Sequence, residues 1–265
     1  MNPTDPPRQT AVITGATGGI GRELVRQCLL DGMRVVAIGR NTDALADLSG
    51  FSSAPPPSLI PLNLDLLGPN AARSVLAFLD AHDLPADLLI NCAGVGLLSR
   101  FHESDLSAQT DILRLNTQVP MELTHLLLPR LRAARGAVLN ITSLLAAFPA
   151  PGLAVLSASK IALLHWSVAL RRELKGHVAV TAFSPGITRT PFLPTARMGH
   201  LALDRFFFAS NPDLVARRAL RAVRRNAAIA YATPLDRLGA LLLGLAPHRL
   251  VAAAVAIALR PPAVP

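Results

Sequence analysis

Residues 11–33 read "AVITGATGGIGRELVRQCLLDGM". "AVITG" (11–15) has the short apolar run of a buried strand, and "IGRELVRQCLLDGM" (20–33) has the periodicity of a helix. Between them, "TGATGGIG" (14–21) puts Gly15, Gly19 and Gly21 into the turn. Glycines there permit a tight strand-to-helix connection and let backbone N–H groups approach a pyrophosphate at the helix N-terminus. The spacing is G-x-x-x-G-x-G rather than G-x-G-x-x-G. Glycines also close loops for purely structural reasons. A strand before them and a helix after is the setting a dinucleotide site requires.

The same alternation continues outward. "RVVAIGR" (34–40) reads as a second strand and "LIPLNLD" (59–65) as a third, beyond the proline-rich loop "SSAPPPS" (52–58). A helix over about 70–82 precedes the strand "DLLINCAG" (87–94), and a long helical stretch runs through about 105–134. Pro120 and Pro129 are its expected kink or boundary points. "GAVLNITS" (136–143), a helix over about 152–175 and "HVAVTAFSPG" (177–186) complete the series. Strands alternating with helices imply right-handed crossovers, hence an α/β fold with a doubly wound parallel sheet covered on both faces. Beyond Pro191 the pattern loosens. The chain divides into a dinucleotide-binding domain over 1–234, with a substrate lid at about 190–210, and an apolar C-terminal extension over 235–265.

Composition narrows the function. The 265 residues are 51% hydrophobic and 16% charged, which excludes disorder and allows a substantial core. The formal charge of +9 favours anionic partners: a phosphorylated cofactor, an acidic substrate, a membrane surface or nucleic acid. Cys28 and Cys92 have no metal-ligand spacing, so no metal is expected, and the setting reads as reduced and cytosolic. "MNPTDPPRQT" (1–10) has no apolar signal core, which argues against export. The second strand ends in "IGRN" (38–41), where a carboxylate would select NAD and an arginine the 2′-phosphate of NADP; Arg40 occupies that place. NADP(H) is therefore the expected cofactor, in preference to NAD(H).

"TGATGGIG", "NCAG" (91–94), Asn116, "NITS" ending in Ser143, Lys160 and "SPGITRTPF" (184–192) resemble, in order and spacing, the motifs of the short-chain dehydrogenase/reductase family. The resemblance covers residues 10–192 and implies a Rossmann-type fold of about seven parallel strands, with a nicotinamide cofactor across their C-terminal ends. Carried over, it implies that Gly15, Thr17, Gly19, Ile20 and Gly21 line the cofactor phosphates and ribose. Arg40 would hold the 2′-phosphate, Asp65 and Leu66 would flank the adenine, and Asn91, Ala93 and Gly94 would form a cofactor-side strand end. Pro185, Gly186, Ile187, Thr188 and Thr190 would fix the carboxamide. Asn116, Ser143 and Lys160 match three of the family's four catalytic positions, and Lys160 also matches the residue that binds the nicotinamide ribose.

The fourth position departs from the family. Its tyrosine lies thirteen residues after the serine and four before the lysine, and both counts fall on Leu156 in "LSASK" (156–160). Leucine neither donates nor accepts a proton. Positioned acid–base catalysis is worth about 10²–10⁴ in rate, so the usual reaction is crippled without harm to the fold. Three functions compete. One is an oxidoreductase acting on a carbonyl, hydroxyl or activated C=C or C=N bond, with Ser143 and Lys160 supplying what tyrosine would. Another is an NADP(H)-binding scaffold for isomerisation, cyclisation or dehydration. The third is an inert cofactor-binding partner, with Leu156 simply packed in a pocket turned into core.

His102, His165 and His200 are candidate replacement acids, since imidazole titrates near neutrality. His165 lies five residues past Lys160, about 140° around a helix from it, and reads as surface. His102 and His200 lie in loops that face the expected pocket. Tyr231, the chain's one tyrosine, falls in the late strand-like "AIAYATP" (228–234), away from it. "LVARRALRAVRR" (214–225) sets Arg217, Arg221, Arg224 and Arg225 along one helical face: first a solvated face, second a membrane or acidic-substrate contact, and no nucleic-acid motif. The leucine-rich tail and the lid "FLPTARMGHLALDRFFF" (192–208) point to a hydrophobic small-molecule substrate. The tail itself suits a pocket cap, a homo-oligomer interface or a membrane surface. Its apolar runs are shorter than the about 20 residues a bilayer span needs.

Overall fold

The computed structural model describes residues 9–51, 58–201, 203 and 209–259. The N-terminal "MNPTDPPR", most of the proline-rich loop, residues 202 and 204–208 of the lid and the last six residues lie outside the described residues. Strands β1 (Thr10–Thr14), β2 (Arg34–Gly39), β3 (Leu59–Asn63), β4 (Leu88–Asn91), β5 (Ala137–Ile141), β6 (Ala179–Ser184) and β7 (Ile229–Tyr231) form one parallel sheet in the order 3-2-1-4-5-6-7. The order reverses at β1 and β4, which opens a crevice above their C-terminal ends, the place where such sheets bind ligands.

Strand residues alternate between two cores, as the period of two requires. Ala11, Ile13, Val35 and Ala37 face α1 (Gly19–Leu30) and, later in the chain, α8 (Pro212–Arg224). Val12, Val36 and Ile38 face α3 (Ala71–Ala81) and α5 (Val119–Ala133). Coverage on both sides is why the middle of β1, Ala11 to Ile13, is apolar without a break. A short helix, α2 (Thr42–Ala46), follows β2, capped by Asn41 Oδ1 accepting from Ala44 N at 2.9 Å.

The long helical stretch is not uniform. α4 (Leu106–Leu113) passes through a π-helical turn, Arg114–Gln118, into α5. Pro120 sits just past the π-helical turn, at the start of α5, and Pro129 lies inside the helix. The turn centres on Asn116, and such bulges gather at functional sites. α6 (Ala154–Glu173) carries both Leu156 and Lys160. α7 (Phe192–Thr195) lies in the segment between β6 and α8, where Thr188 bridges Ser210. α9 (Pro234–Leu245) and α10 (His248–Ala258) end the described chain.

Candidate active site

A cavity of about 510 Å³ lies along the C-terminal ends of the strands. Each of β1 to β6 delivers its following loop to the wall: Gly15 and Thr17, Gly39 and Arg40, Asp65 and Leu66, Ala93 and Gly94, Ser143, and Pro185 to Thr188. Gly19, Ile20, Gly21, Thr190, Leu156 and Lys160 complete the set of expected residues that line it.

The glycine turn is tight because it has to be. Gly15 has φ +65°, a conformation that L side chains rarely adopt, and a methyl group on Gly21 would stand 2.0 Å from the Gly15 carbonyl oxygen. Gly18 caps α1 with no side-chain acceptor, and no acidic residue occupies the first turn. The first amides of that helix, with the positive end of its dipole, are left for an anion. Arg40 is exposed at the end of β2, and no side-chain partner for it occurs among the described residues. These features fit a dinucleotide carrying an extra phosphate.

Two expected residues stand behind the wall instead of on it. Asn91 is buried and donates to Asn140 Oδ1 at 2.8 Å, while Asn140 donates to Ser167 Oγ at 2.8 Å. This polar chain ties β4 to β5 and α6. Asn116 is fully buried and clamps Val95 from both sides: Val95 N donates to Asn116 Oδ1, and Asn116 Nδ2 donates to Val95 O, each at 2.9 Å. Its Nδ2 also donates to Ser159 Oγ at 3.0 Å, beside Lys160. Gly94 is what lets these groups meet, for a methyl group on it would lie 3.0 Å from Asn116 Oδ1 and 3.5 Å from Lys160 Nζ. Asn116 therefore sets the position of the lysine's surroundings without facing the cavity.

Lys160 is only 8% exposed and donates from Nζ to the Ile141 carbonyl at 3.0 Å. Burial disfavours its charged form and pulls its pKa down to about 8. Burial also pushes the thiols of Cys28 and Cys92 up to about 12, so neither is a ready nucleophile. The lysine has a signed consequence for stability. Between about pH 8 and its ordinary 10.5, the unfolded chain holds a proton on Lys160 that the native state has released, so stability rises with pH. Above about 9 the thiols oppose this, because only the unfolded state then loses their protons. The clean window is pH 8 to 9. There the wild-type apoprotein should gain about 1 kcal/mol relative to Lys160→Met in urea unfolding. Equal slopes would mean that Lys160 is solvated.

Ser143 lines the cavity, and its Oγ accepts from Leu145 N at 3.2 Å. Leu156 is 1% exposed and belongs to a core of Leu98, Ile112, Ala150, Leu153, Leu193, Ala196 and Met198. The half of the cavity around it is apolar, closed by Phe148, Phe192, Val255 of α10 and Leu259 just after it. None of the three histidines reaches the wall. His102 and His165 are exposed, with His102 3.6 Å from Glu103, and His200 is exposed on a short turn. Tyr231, on the edge strand β7, lines a separate surface groove with α9. Thr14 was not singled out from sequence, yet its Oγ1 accepts from Cys92 N at 3.0 Å and Ala93 N at 3.1 Å, holding the β4 loop to β1. A hydroxyl residue just before the glycines was the available signal.

Residues 9–199 match the short chain dehydrogenase family. The chain is a member of that family. Among curated relatives, a short chain dehydrogenase of Pseudocercospora fijiensis is 30% identical over 182 residues, which are 67% of this chain and 59% of that protein. This chain thus spans less than two-thirds of that relative's length. A probable NADP-dependent dehydrogenase of Haemophilus influenzae is 30% identical over 181 residues, 67% of this chain and 71% of the relative. Among solved structures, a short-chain dehydrogenase from Sphingobium yanoikuyae in complex with NADPH superposes with a TM-score of 0.78 at 25% identity, over 89% of this chain and 94% of the other. The seven-stranded Rossmann-type sheet is the fold this chain shares with that structure.

Two of the four arginines singled out around α8 are paired: Arg217 with Asp213 of the same helix at 2.5 Å, and Arg224 with Asp31, just past α1, at 2.7 Å; Arg221 and Arg225 are exposed.

Proposed function

We propose that this chain is an NADP(H)-dependent oxidoreductase for the carbonyl or hydroxyl group, or an activated C=C or C=N bond, of a hydrophobic small molecule, working without a tyrosine. When bound, the nicotinamide cofactor supplies or takes up the hydride. Gly15, Thr17, Gly19, Ile20 and Gly21 would hold its phosphates with backbone amides, Arg40 its 2′-phosphate, and Asp65 and Leu66 its adenine. Pro185, Gly186, Ile187, Thr188 and Thr190 would hold the other end. NADPH in the Sphingobium yanoikuyae structure and the NADP-dependence named for the Haemophilus influenzae relative support the cofactor.

The observation that carries the mechanism is that Ser143 and Lys160 line the same cavity, with burial lowering the lysine's pKa to about 8. Ser143 Oγ–H donates a hydrogen bond to the substrate oxygen. Lys160 keeps one N–H on Ile141 O and has two left. Its ammonium, made more acidic by burial, gives a proton to that oxygen in reduction and takes it back as an amine in oxidation. Asn116, bonded to Ser159 next to Lys160, is the positioning residue behind the lysine. Leu156 and its neighbours exclude water and accept the apolar part of the substrate. The division into a domain over 1–234 and a tail beyond it is softened by Val255 and Leu259, which put the tail into the substrate wall.

The test is turnover of NADPH against medium- and long-chain aldehydes and ketones as a function of pH. kcat/KM for reduction should fall about tenfold per pH unit above about 8, as the ammonium is lost. A rate independent of pH across that range would remove Lys160 as the acid. NADPH binding with no turnover on any substrate would leave a cofactor-binding protein without redox chemistry.

A further inference from the structure

We propose that the helix pair α9–α10 docks on an anionic bilayer surface. α9 turns Asp236 and Ala240 inward, and presents Leu235, Leu238, Leu242 and Leu245 outward at i, i+3, i+7 and i+10, each between 50% and 77% exposed. α10 turns Val251 and Val255 inward, with Leu259 just past its end packed on the same side, and presents Leu250 and Ile257 outward, 68% and 67% exposed. A surface helix ordinarily carries polar residues on its outer face. With Leu241, 57% exposed beside them, seven large apolar side chains on two consecutive helices mark an interaction surface.

Charge identifies the occupant. Between residues 234 and 259 the one carboxylate is Asp236, buried against Gly186. The exposed cations there are Arg237 and Arg249, with His248 titratable beside them, on a chain of formal charge +9. Apolar side chains bordered by cations match an anionic lipid interface. A second copy of the same face would set cation against cation. The helices have 12 and 11 residues, and no helix of the described residues is long and apolar enough to cross a membrane, so the pair lies on the surface and does not span it. The place is apt: α10 forms the cavity wall with its inner side chains and the outer face with Leu250 and Ile257, so a lipid-dissolved substrate lies one helix away. That last point rests on the substrate proposed above; the docking itself does not.

Vesicle co-sedimentation of the full chain tests it, needing neither cofactor nor turnover, so its result is separable from the oxidoreductase reading. The protein should partition onto phosphatidylcholine–phosphatidylglycerol vesicles and much less onto phosphatidylcholine alone. Arg237→Gln and Arg249→Gln should each weaken binding about fivefold. The triple variant Leu238→Ser, Leu242→Ser, Leu245→Ser should weaken it by at least about tenfold. Melting by circular dichroism checks that the variants fold, and Leu245→Ser or Leu250→Ser alone replaces the triple variant if it melts early. Failure of the wild type to bind either vesicle, or undiminished binding by the leucine variants, overturns the proposal. So does a dimer in sedimentation velocity that the leucine variants convert to monomer while lipid binding is absent, which would give the face to a second copy.

Discussion

Replacing Leu156 with tyrosine should raise NADPH-dependent reduction of aldehydes and ketones by about 10²–10⁴-fold. Leu156 and Lys160 are one helical turn apart on α6, both buried and both on the cavity wall. A phenol there would meet the lysine's positive field, which lowers its pKa and suits it to protonate a carbonyl oxygen. Space favours the cavity side. A methyl group on Gly96 would already approach Leu156 Cδ2 to 2.9 Å, so a larger ring cannot turn toward that strand exit. Crowding in this apolar cluster should cost about 1–3 kcal/mol of stability, seen as a lower Tm. Leu156→Phe is the control, since it carries the same bulk and no hydroxyl. Equal rates for the tyrosine and phenylalanine variants would show that the missing proton donor is not what limits the wild type.

Arg40→Ala should weaken NADPH binding by about 10²-fold and change NADH binding by less than about twofold. A phosphate dianion held by charge-assisted hydrogen bonds from one guanidinium loses most of its attraction when that group goes, and a 2′-hydroxyl loses little. Arg40 is exposed, so the difference should shrink as salt is added. Calorimetric titration of both cofactors at two ionic strengths measures this. Equal losses for NADPH and NADH would mean that Arg40 supports the loop without choosing the cofactor.

Much of this protein is readable from short stretches because the chemistry there is local. The glycines of residues 14–21 are forced by backbone conformation over a few residues, and the alternation of β1 with α1 is a matter of period. Arg40 follows directly where β2 ends. The gap at Leu156 is likewise a count along one helix, from Lys160 back by four. The histidines show the limit. His102 and His200 fall in loops of the right neighbourhood, but a loop's position does not tell which way its side chains turn, and both face solvent.

Everything that depends on distant segments meeting came from the tertiary structure. Asn116 reads as a catalytic position, and packing places it behind the wall because its amide is fully engaged by Val95 and Ser159. Leu156 became core because residues 98, 112 and 193–198 close over it. Val255 and Leu259 reach the cavity from the far end of the chain, about a hundred residues after Leu156. The acidity of Lys160 belongs here too: an isolated lysine titrates near 10.5, and only the enclosure built by several strands and helices strips away the water that holds its charge.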